Sequence, residues 1–407
     1  METALRVLSW LMVLTTGGYA LAKAVGLLRK PCAPARVELG SMRRWYIWVA
    51  ALVVLSRAAL YIWGGLAVQP DASLSGIERF VEHWRGADVE HFVRIAEHGY
   101  EPGTEYANRI VFFPVLPLLM RLVGWVLPLG VEFAGIVVGN LALLGACLLL
   151  FRLCLAYDME PMEGFLAVCF LLAFPFGVFL QMCYTEQPFL LFAIGCVLAA
   201  RRGRWLLSGA LGMLAALTRN MGVLLIVPVV YEYLCQHNAG EKVWHALPLL
   251  LIPAGLGVYL CLNAALYGDA LAFLGYQKAA PWYNSFALFS DTIAQQYSMA
   301  IEHPGLAPII YVPQLLLFFA VIGVLGMGAR MGINPGLVLL GGLLVLVSYS
   351  ASWLISGGRY MLSVFPMSIA LARLARRHPL AGGGVLAASG VLMLTMAYLL
   401  LSGHAIM

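Results

Sequence analysis

The chain has 407 residues, of which 62% are hydrophobic and 11% charged, with a formal net charge of +5. Soluble domains carry roughly a quarter charged residues, so this composition excludes a water-soluble globular enzyme and places the chain in a bilayer. The positive balance reports membrane orientation through where Lys and Arg fall; it is not a nucleic-acid signature.

In chain order, apolar runs mark candidate spans at 5–28, 46–68, 133–155, 164–182, 187–200, 206–218, 221–233, 246–266, 309–327, 336–355, 360–374 and 382–401. The first run is too long for a signal peptide and shows no clear cleavage site, so it reads as an uncleaved span. The eight cysteines form no Cys-x-x-Cys pair, and Cys147, Cys154, Cys169, Cys196 and Cys261 sit inside apolar runs as small hydrophobes. Basic residues cluster between alternate spans: Arg29, Lys30, Arg36, Arg43 and Arg44, then Arg201, Arg202 and Arg204, then Lys242, Arg330, and Arg373, Arg376 and Arg377. With about twelve spans and both termini outside, every one of these clusters faces the cytoplasm. The run 111–127 is broken by Pro114, Pro117 and Pro128 and reads as a re-entrant or interfacial helix. The expected fold is all-α and polytopic: about 12 transmembrane helices plus this juxtamembrane helix. Residues 1–44 form an N-terminal span with a basic loop, 45–378 a membrane catalytic domain with outer loops 69–132 and 267–308, and 379–407 a last span.

The first outer loop holds the densest polar stretch, from His83 to Tyr100. Wound at 3.6 residues per turn, it sorts Glu90, Arg94 and Glu97 onto one face, the spacing of a solvated ion-pair ladder. Asp88, His91, Phe92 and Ile95 fall on the other, with His98 beside His91, so an acid and a histidine share the apolar, protein-facing side. Membrane-edge ionisable groups are costly to keep and are functional candidates by default. Three further clusters lie on the same outer side: Tyr184-Thr185-Glu186, Thr218-Arg219-Asn220 and Gly358-Arg359-Tyr360. A looser one comprises Gly268-Asp269, Gln277-Lys278 and Trp282. Acid, hydroxyl, cation and aromatic together suit group transfer from a lipid-linked phosphate. A carboxylate would deprotonate the acceptor hydroxyl, arginines would stabilise the departing phosphate, and aromatics would line a sugar site.

The run His83-Trp84, Asp88-Val89-Glu90-His91-Phe92, Ile95-Ala96-Glu97-His98-Gly99-Tyr100 and Phe112-Phe113-Pro114-x-x-Pro117 resembles the first outer loop of the PIG-V family. Those are polytopic mannosyltransferases of the GT-C superfamily that add the second mannose of GPI anchors and have bacterial relatives. The resemblance continues through Phe174-Pro175, Tyr184-Thr185-Glu186, Thr218-Arg219-Asn220-x-Gly222, Gly268-Asp269-x-x-x-Phe273-x-x-x-Gln277 and Arg359-Tyr360-x-x-x-x-Phe365-Pro366, roughly from Trp45 to Leu374. It departs at Ala87, where the family places Trp before the loop aspartate. The resemblance implies a GT-C fold, Asp88 as the catalytic base and a polyprenyl- or dolichyl-phosphate sugar donor. It also implies inversion at the anomeric carbon and a glycolipid or glycan acceptor. Substrate contacts are then expected from His91, His98, Phe113, Tyr184, Glu186, Arg219, Asp269, Gln277, Trp282, Arg359 and Tyr360.

Plainer readings stand beside these. Asp88 follows Gly86-Ala87 and could merely cap a helix, His91 and His98 could be core histidines, Glu186 could pair with an arginine, and Arg219 and Arg359 could snorkel. No cofactor is certain; the alternative is a divalent cation at Asp88, Glu90 and His91, although Glu90 points away on a helix. Competing functions are a transporter or flippase of lipid-linked sugars and an inactive GT-C relative acting as an assembly subunit. No retention signal stands in Gly403-His404-Ala405-Ile406-Met407, so a bacterial plasma membrane is expected, with the endoplasmic reticulum as the eukaryotic alternative. In either membrane the site faces the extracytoplasmic side.

Overall fold

The computed structural model describes residues 1–28, 33–35, 42–69, 71, 73–74, 76–86, 88–127, 129–237 and 243–404. Ala87, Pro128, Lys242, the basic residues Arg29, Lys30 and Arg36, and 405–407 lie outside them. The chain is all-α, and its described helices are α1 (Glu2–Leu28), α2 (Arg43–Ala67), α3 (Gly76–His83), α4 (Val89–His98), α5 (Val115–Val126), α6 (Val131–Ala156), α7 (Pro161–Leu172), α8 (Glu186–Arg201) and α9 (Trp205–Thr218). The second half adds α10 (Ile226–Gln236), α11 (Leu251–Tyr267), α12 (Ala272–Lys278), α13 (Phe289–Glu302), α14 (Val312–Arg330), α15 (Pro335–Ser348), α16 (Gly357–Tyr360), α17 (Phe365–Arg377) and α18 (Pro379–Leu401). Each apolar run read as a span falls on helix, and six of the described segments are long and apolar enough to cross a membrane alone. The protein is a multi-pass membrane protein.

Several spans are shorter than the apolar runs that encode them. The run 164–182 is helical only to Leu172; Pro175 cannot continue the ladder, and a 3₁₀ turn, Gly177–Gln181, follows. Helix α15 likewise stops at Ser348 although apolar residues continue to Ile355. Non-helical backbone at this depth survives only when protein satisfies its polar groups, and polar side chains in otherwise apolar helices do so here. Gln187 Nε2 donates to Phe179 O (3.2 Å) and Met182 O (2.7 Å), and Tyr61 Oη donates to Gln181 O (2.9 Å). Around the second break, Gln296 Nε2 donates to Leu354 O (2.9 Å), Gln314 Nε2 donates to Ile355 O (2.7 Å), and Gly357 N donates to Gln314 Oε1 (3.2 Å).

Helix α8 is buried on nearly all sides and forms the middle of the bundle, against α6 and α9. The α9–α11 crossing depends on small residues: a Cβ on Gly255 would lie 2.5 Å from Met213 O, and one on Gly212 would lie 2.5 Å from Ile252 Cγ1. With no hydrophobic drive between helices in lipid, such close backbone approach supplies the packing attraction. Helix α5 buries Val115, Leu116 and Met120 against the bundle and leaves the apolar Leu118, Leu122, Trp125 and Val126 exposed. The described basic loops gather at one end. Arg201 Nη1 donates to Ala33 O (3.3 Å), Arg377 Nη2 to Met331 O (3.3 Å) and Lys23 Nζ to Ala329 O (2.7 Å).

Candidate active site

Asp88 occupies the N-cap position of α4, yet its side chain makes no capping bond. Oδ2 instead accepts from Arg359 Nη1 at 2.6 Å, across 271 positions of sequence. The helix ends at Gly99, which adopts a positive φ of 81°, and Arg121 of α5 closes it by donating to Ala96 O (2.5 Å) and Ile95 O (3.4 Å). The ion-pair ladder expected on its wet face does not form. Arg94 binds Glu101 (2.8 and 3.0 Å) and Glu90 meets Arg109 (3.3 Å), because the loop after Gly99 brings better-placed partners than helical spacing does.

Glu186 begins α8 with its side chain wholly buried, and Oε1 lies 2.5 Å from Arg219 Nη1 and 3.2 Å from Arg359 Nε. Arg219 also donates to Thr185 Oγ1 at 3.1 Å. Two carboxylates and two guanidiniums therefore form a connected chain, Asp88–Arg359–Glu186–Arg219, with formal charge summing to zero. Aromatic faces enclose it: the Arg359 guanidinium lies 4.7 Å from the Tyr184 ring centre and 5.5 Å from that of Tyr360, and Arg219 lies 5.4 Å from Tyr360. Arg219 ends α9 in extended backbone, and Arg359 follows the non-helical stretch after α15. A Cβ on Gly358 would strike the Phe176 ring, so only glycine lets the Arg359 segment sit this close.

Two cavities meet at Asp88 and Arg359 and share Val111, Phe112, Gln277 and Tyr360 as walls. The inner one adds Arg219, Asn220, Thr185 and Phe113, and Phe113 stacks on Tyr259 with ring centres 4.0 Å apart. The outer one adds Trp282, whose ring lies 5.9 Å from Phe112 and 6.0 Å from His91. Asp88, Phe113, Tyr184, Glu186, Arg219, Gln277, Trp282, Arg359 and Tyr360 are thus brought together, with His91 behind Phe112 (4.8 Å, stacked). Two of the predicted contacts lie elsewhere. His98 is exposed beside Glu97 (3.9 Å), and Asp269 is exposed and accepts from Leu271 N (2.9 Å), a local Asx turn before α12. Sequence reading missed Gln296 and Gln314 as supports of the segment before Arg359; Gln314 is a lone amide in an apolar helix, and Gln296 stands beside Gln295 in a polar one. Among the described residues no three His, Cys, Asp or Glu side chains gather to hold a metal ion. The set Asp88, Glu90 and His91 is divided between Arg359 and Arg109.

His91 Nδ1 accepts from Arg109 Nε at 3.3 Å, which requires the neutral ring. Burial holds its pKa below the ordinary value, with Asp88 pulling the other way. A histidine with a depressed folded pKa stabilises the fold above its unfolded pKa, and that contribution is lost as pH falls through the folded value. The thermal midpoint of the wild type is therefore expected to fall as the medium is acidified below about pH 6.5. His91→Gln, which keeps an acceptor and does not titrate, should flatten that slope, and identical slopes would remove His91 as its source.

An all-helical, multi-pass membrane protein with a carboxylate and two arginines at a double cavity is the class that fold and site define. Sequence comparison narrows the class: the model of the family described as mannosyltransferase (PIG-V) matches residues 67–249. Over 162 residues the chain is 30% identical to the rat (Rattus norvegicus) protein named GPI alpha-1,6-mannosyltransferase 2. The alignment covers 38% of this chain and 31% of that relative, so the chain matches about a third of the relative's length. The resemblance read from the motifs is borne out there. The matched stretch contains Asp88, Tyr184, Glu186 and Arg219, whereas Arg359, Tyr360 and the residues from Asp269 to Trp282 lie beyond it.

Proposed function

We propose that the protein is an inverting membrane glycosyltransferase. It moves a mannosyl group from a polyprenyl- or dolichyl-phosphate donor to a hydroxyl of a glycolipid or glycan. One observation carries the reading: Asp88, placed where a capping side chain belongs, turns away from its helix to the shared wall of two cavities, beside two buried arginines.

The charge balance supports it. Asp88 takes the proton of the acceptor hydroxyl as that oxygen bonds to the anomeric carbon and the carbon–phosphate oxygen bond breaks. The donor phosphodiester becomes a monoester and gains about one negative charge. Protonation removes the charge of Asp88 in the same step, which leaves the pair of arginines in excess over Glu186 and able to hold the departing phosphate. Before transfer, Arg359 pins Asp88; a donor phosphate drawing on Arg359 and Arg219 frees the carboxylate to act as a base. Attack from the cavity opposite the leaving group inverts the carbon.

Helix α6 runs from Glu132, which pairs with Arg85 near Asp88, to Ala156, whose carbonyl accepts from Arg201, so the described basic residues of that loop lie at the other end of the bundle from Asp88; this supports an extracytoplasmic site under the basic-inside trend. A carrier of lipid-linked sugars would keep its charged residues at mid-bilayer on broken, repeat-related helices, whereas this quartet sits at helix ends. Membranes containing the protein, given polyprenyl-phosphate mannose with labelled mannose, are expected to yield a labelled glycolipid or glycan. Label that only crosses the bilayer, still on its original lipid, would establish the carrier instead.

A further inference from the structure

The outer cavity has a second indole wall that no sequence motif marked. Residues 284–286 are zipped to 351–353: Ser285 N donates to Ser352 Oγ (2.8 Å), Ser352 N donates to Ser285 O (2.8 Å), and Trp353 N donates to Asn284 Oδ1 (3.4 Å). Phe286 and Ala351 form an antiparallel bridge between the same segments. Thr292 and Gln296 of α13 hold the far side through Ala351 O (2.9 Å) and Leu354 O (2.9 Å). On this pinned backbone Trp353 is 40% exposed and lines the cavity with Trp282, Asn284 and Ser356. A large indole left open on a rigid support contributes little to the core, and it faces a space rather than a packed neighbour.

The chemistry of the two cavities differs. Among the described residues Arg359 is the single cation on the outer walls, whereas the inner cavity adds Arg219 with Asn220 and Thr185. Phosphate belongs on the inner side. The outer side offers flat aromatic faces with amide and hydroxyl groups at their rims, which matches a pyranose ring, with its C–H face and its belt of hydroxyls. We infer that the outer cavity is the acceptor subsite and takes a sugar ring stacked on Trp353, with Asn284 at a ring hydroxyl. This inference rests on the transferase reading above.

The test uses the full chain in nanodiscs, with polyprenyl-phosphate mannose as donor and octyl α-mannoside as acceptor probe. Trp353→Ala is expected to raise the KM for octyl mannoside tenfold or more and to leave the donor KM within twofold. Trp353→Phe, which keeps a ring, should recover most of the loss, and Asn284→Ala provides a second variant should the first fold poorly. An equal rise in donor KM, or no change in either constant, overturns the assignment. If the wild type transfers no mannose, saturation-transfer NMR of octyl mannoside still decides: binding that Trp353→Ala abolishes upholds the subsite while the transferase reading fails. Binding that is absent from the wild type, or unchanged by the substitution, removes the subsite.

Discussion

With Asp88→Asn, transfer of labelled mannose is expected to drop by about 10²–10⁴-fold, the range a positioned general base contributes. Asparagine preserves the shape of the side chain and an oxygen for the Arg359 bond at 2.6 Å, and Arg359 keeps Glu186 at 3.2 Å. Asp88 is a quarter exposed and Arg359 retains Glu186, so the thermal midpoint should fall much less than in Glu186→Ala, and the loss falls on kcat. Initial rates normalised to the amount of protein in the membrane give the measurement. A variant that retains more than a tenth of the wild-type rate would take Asp88 out of the base role.

Glu186→Ala should act on stability as strongly as on turnover. Its carboxylate has no exposed surface and lies between Arg219 at 2.5 Å and Arg359 at 3.2 Å. Removing it leaves a buried cation without its nearest anion, and breaking a buried pair from one side costs about 3–5 kcal/mol. Combining it with Arg219→Met, which removes the stranded charge, should restore part of the loss, as expected for residues that share one network. Thermal midpoints in one detergent for the two single variants and the double variant make the comparison. Equal, additive losses would show that the quartet is not a single unit.

The fold was legible because apolar runs contain the helices: a span shorter than its run was misread only where buried backbone is satisfied by a side chain distant in sequence, as Gln181 O is by Tyr61 and Ile355 O by Gln314. Local spacing cannot see such partners. The same blindness explains the missed pairs of Arg94 and Glu90, whose partners come from the loop beyond Gly99. The site's main residues were visible as polar interruptions, since Glu186, Arg219 and Arg359 stand in otherwise apolar surroundings. Which of them touch was not visible. His98 fell beside His91 on a helical wheel, yet it is the last residue of α4 and faces solvent. Trp353 carried no signal, because one more aromatic near a membrane edge is ordinary.

The bond between Asp88 and Arg359 also sets an order in time. A growing chain that has emerged only as far as residue 249 already holds Asp88, Glu186 and Arg219, but it lacks the second guanidinium that closes the quartet. Until Arg359 is threaded into the bilayer Asp88 is without its counter-charge, while Glu186 already has Arg219. Assembly of the quartet is therefore a late event in biosynthesis, completed by a residue born hundreds of peptide bonds after the one it restrains.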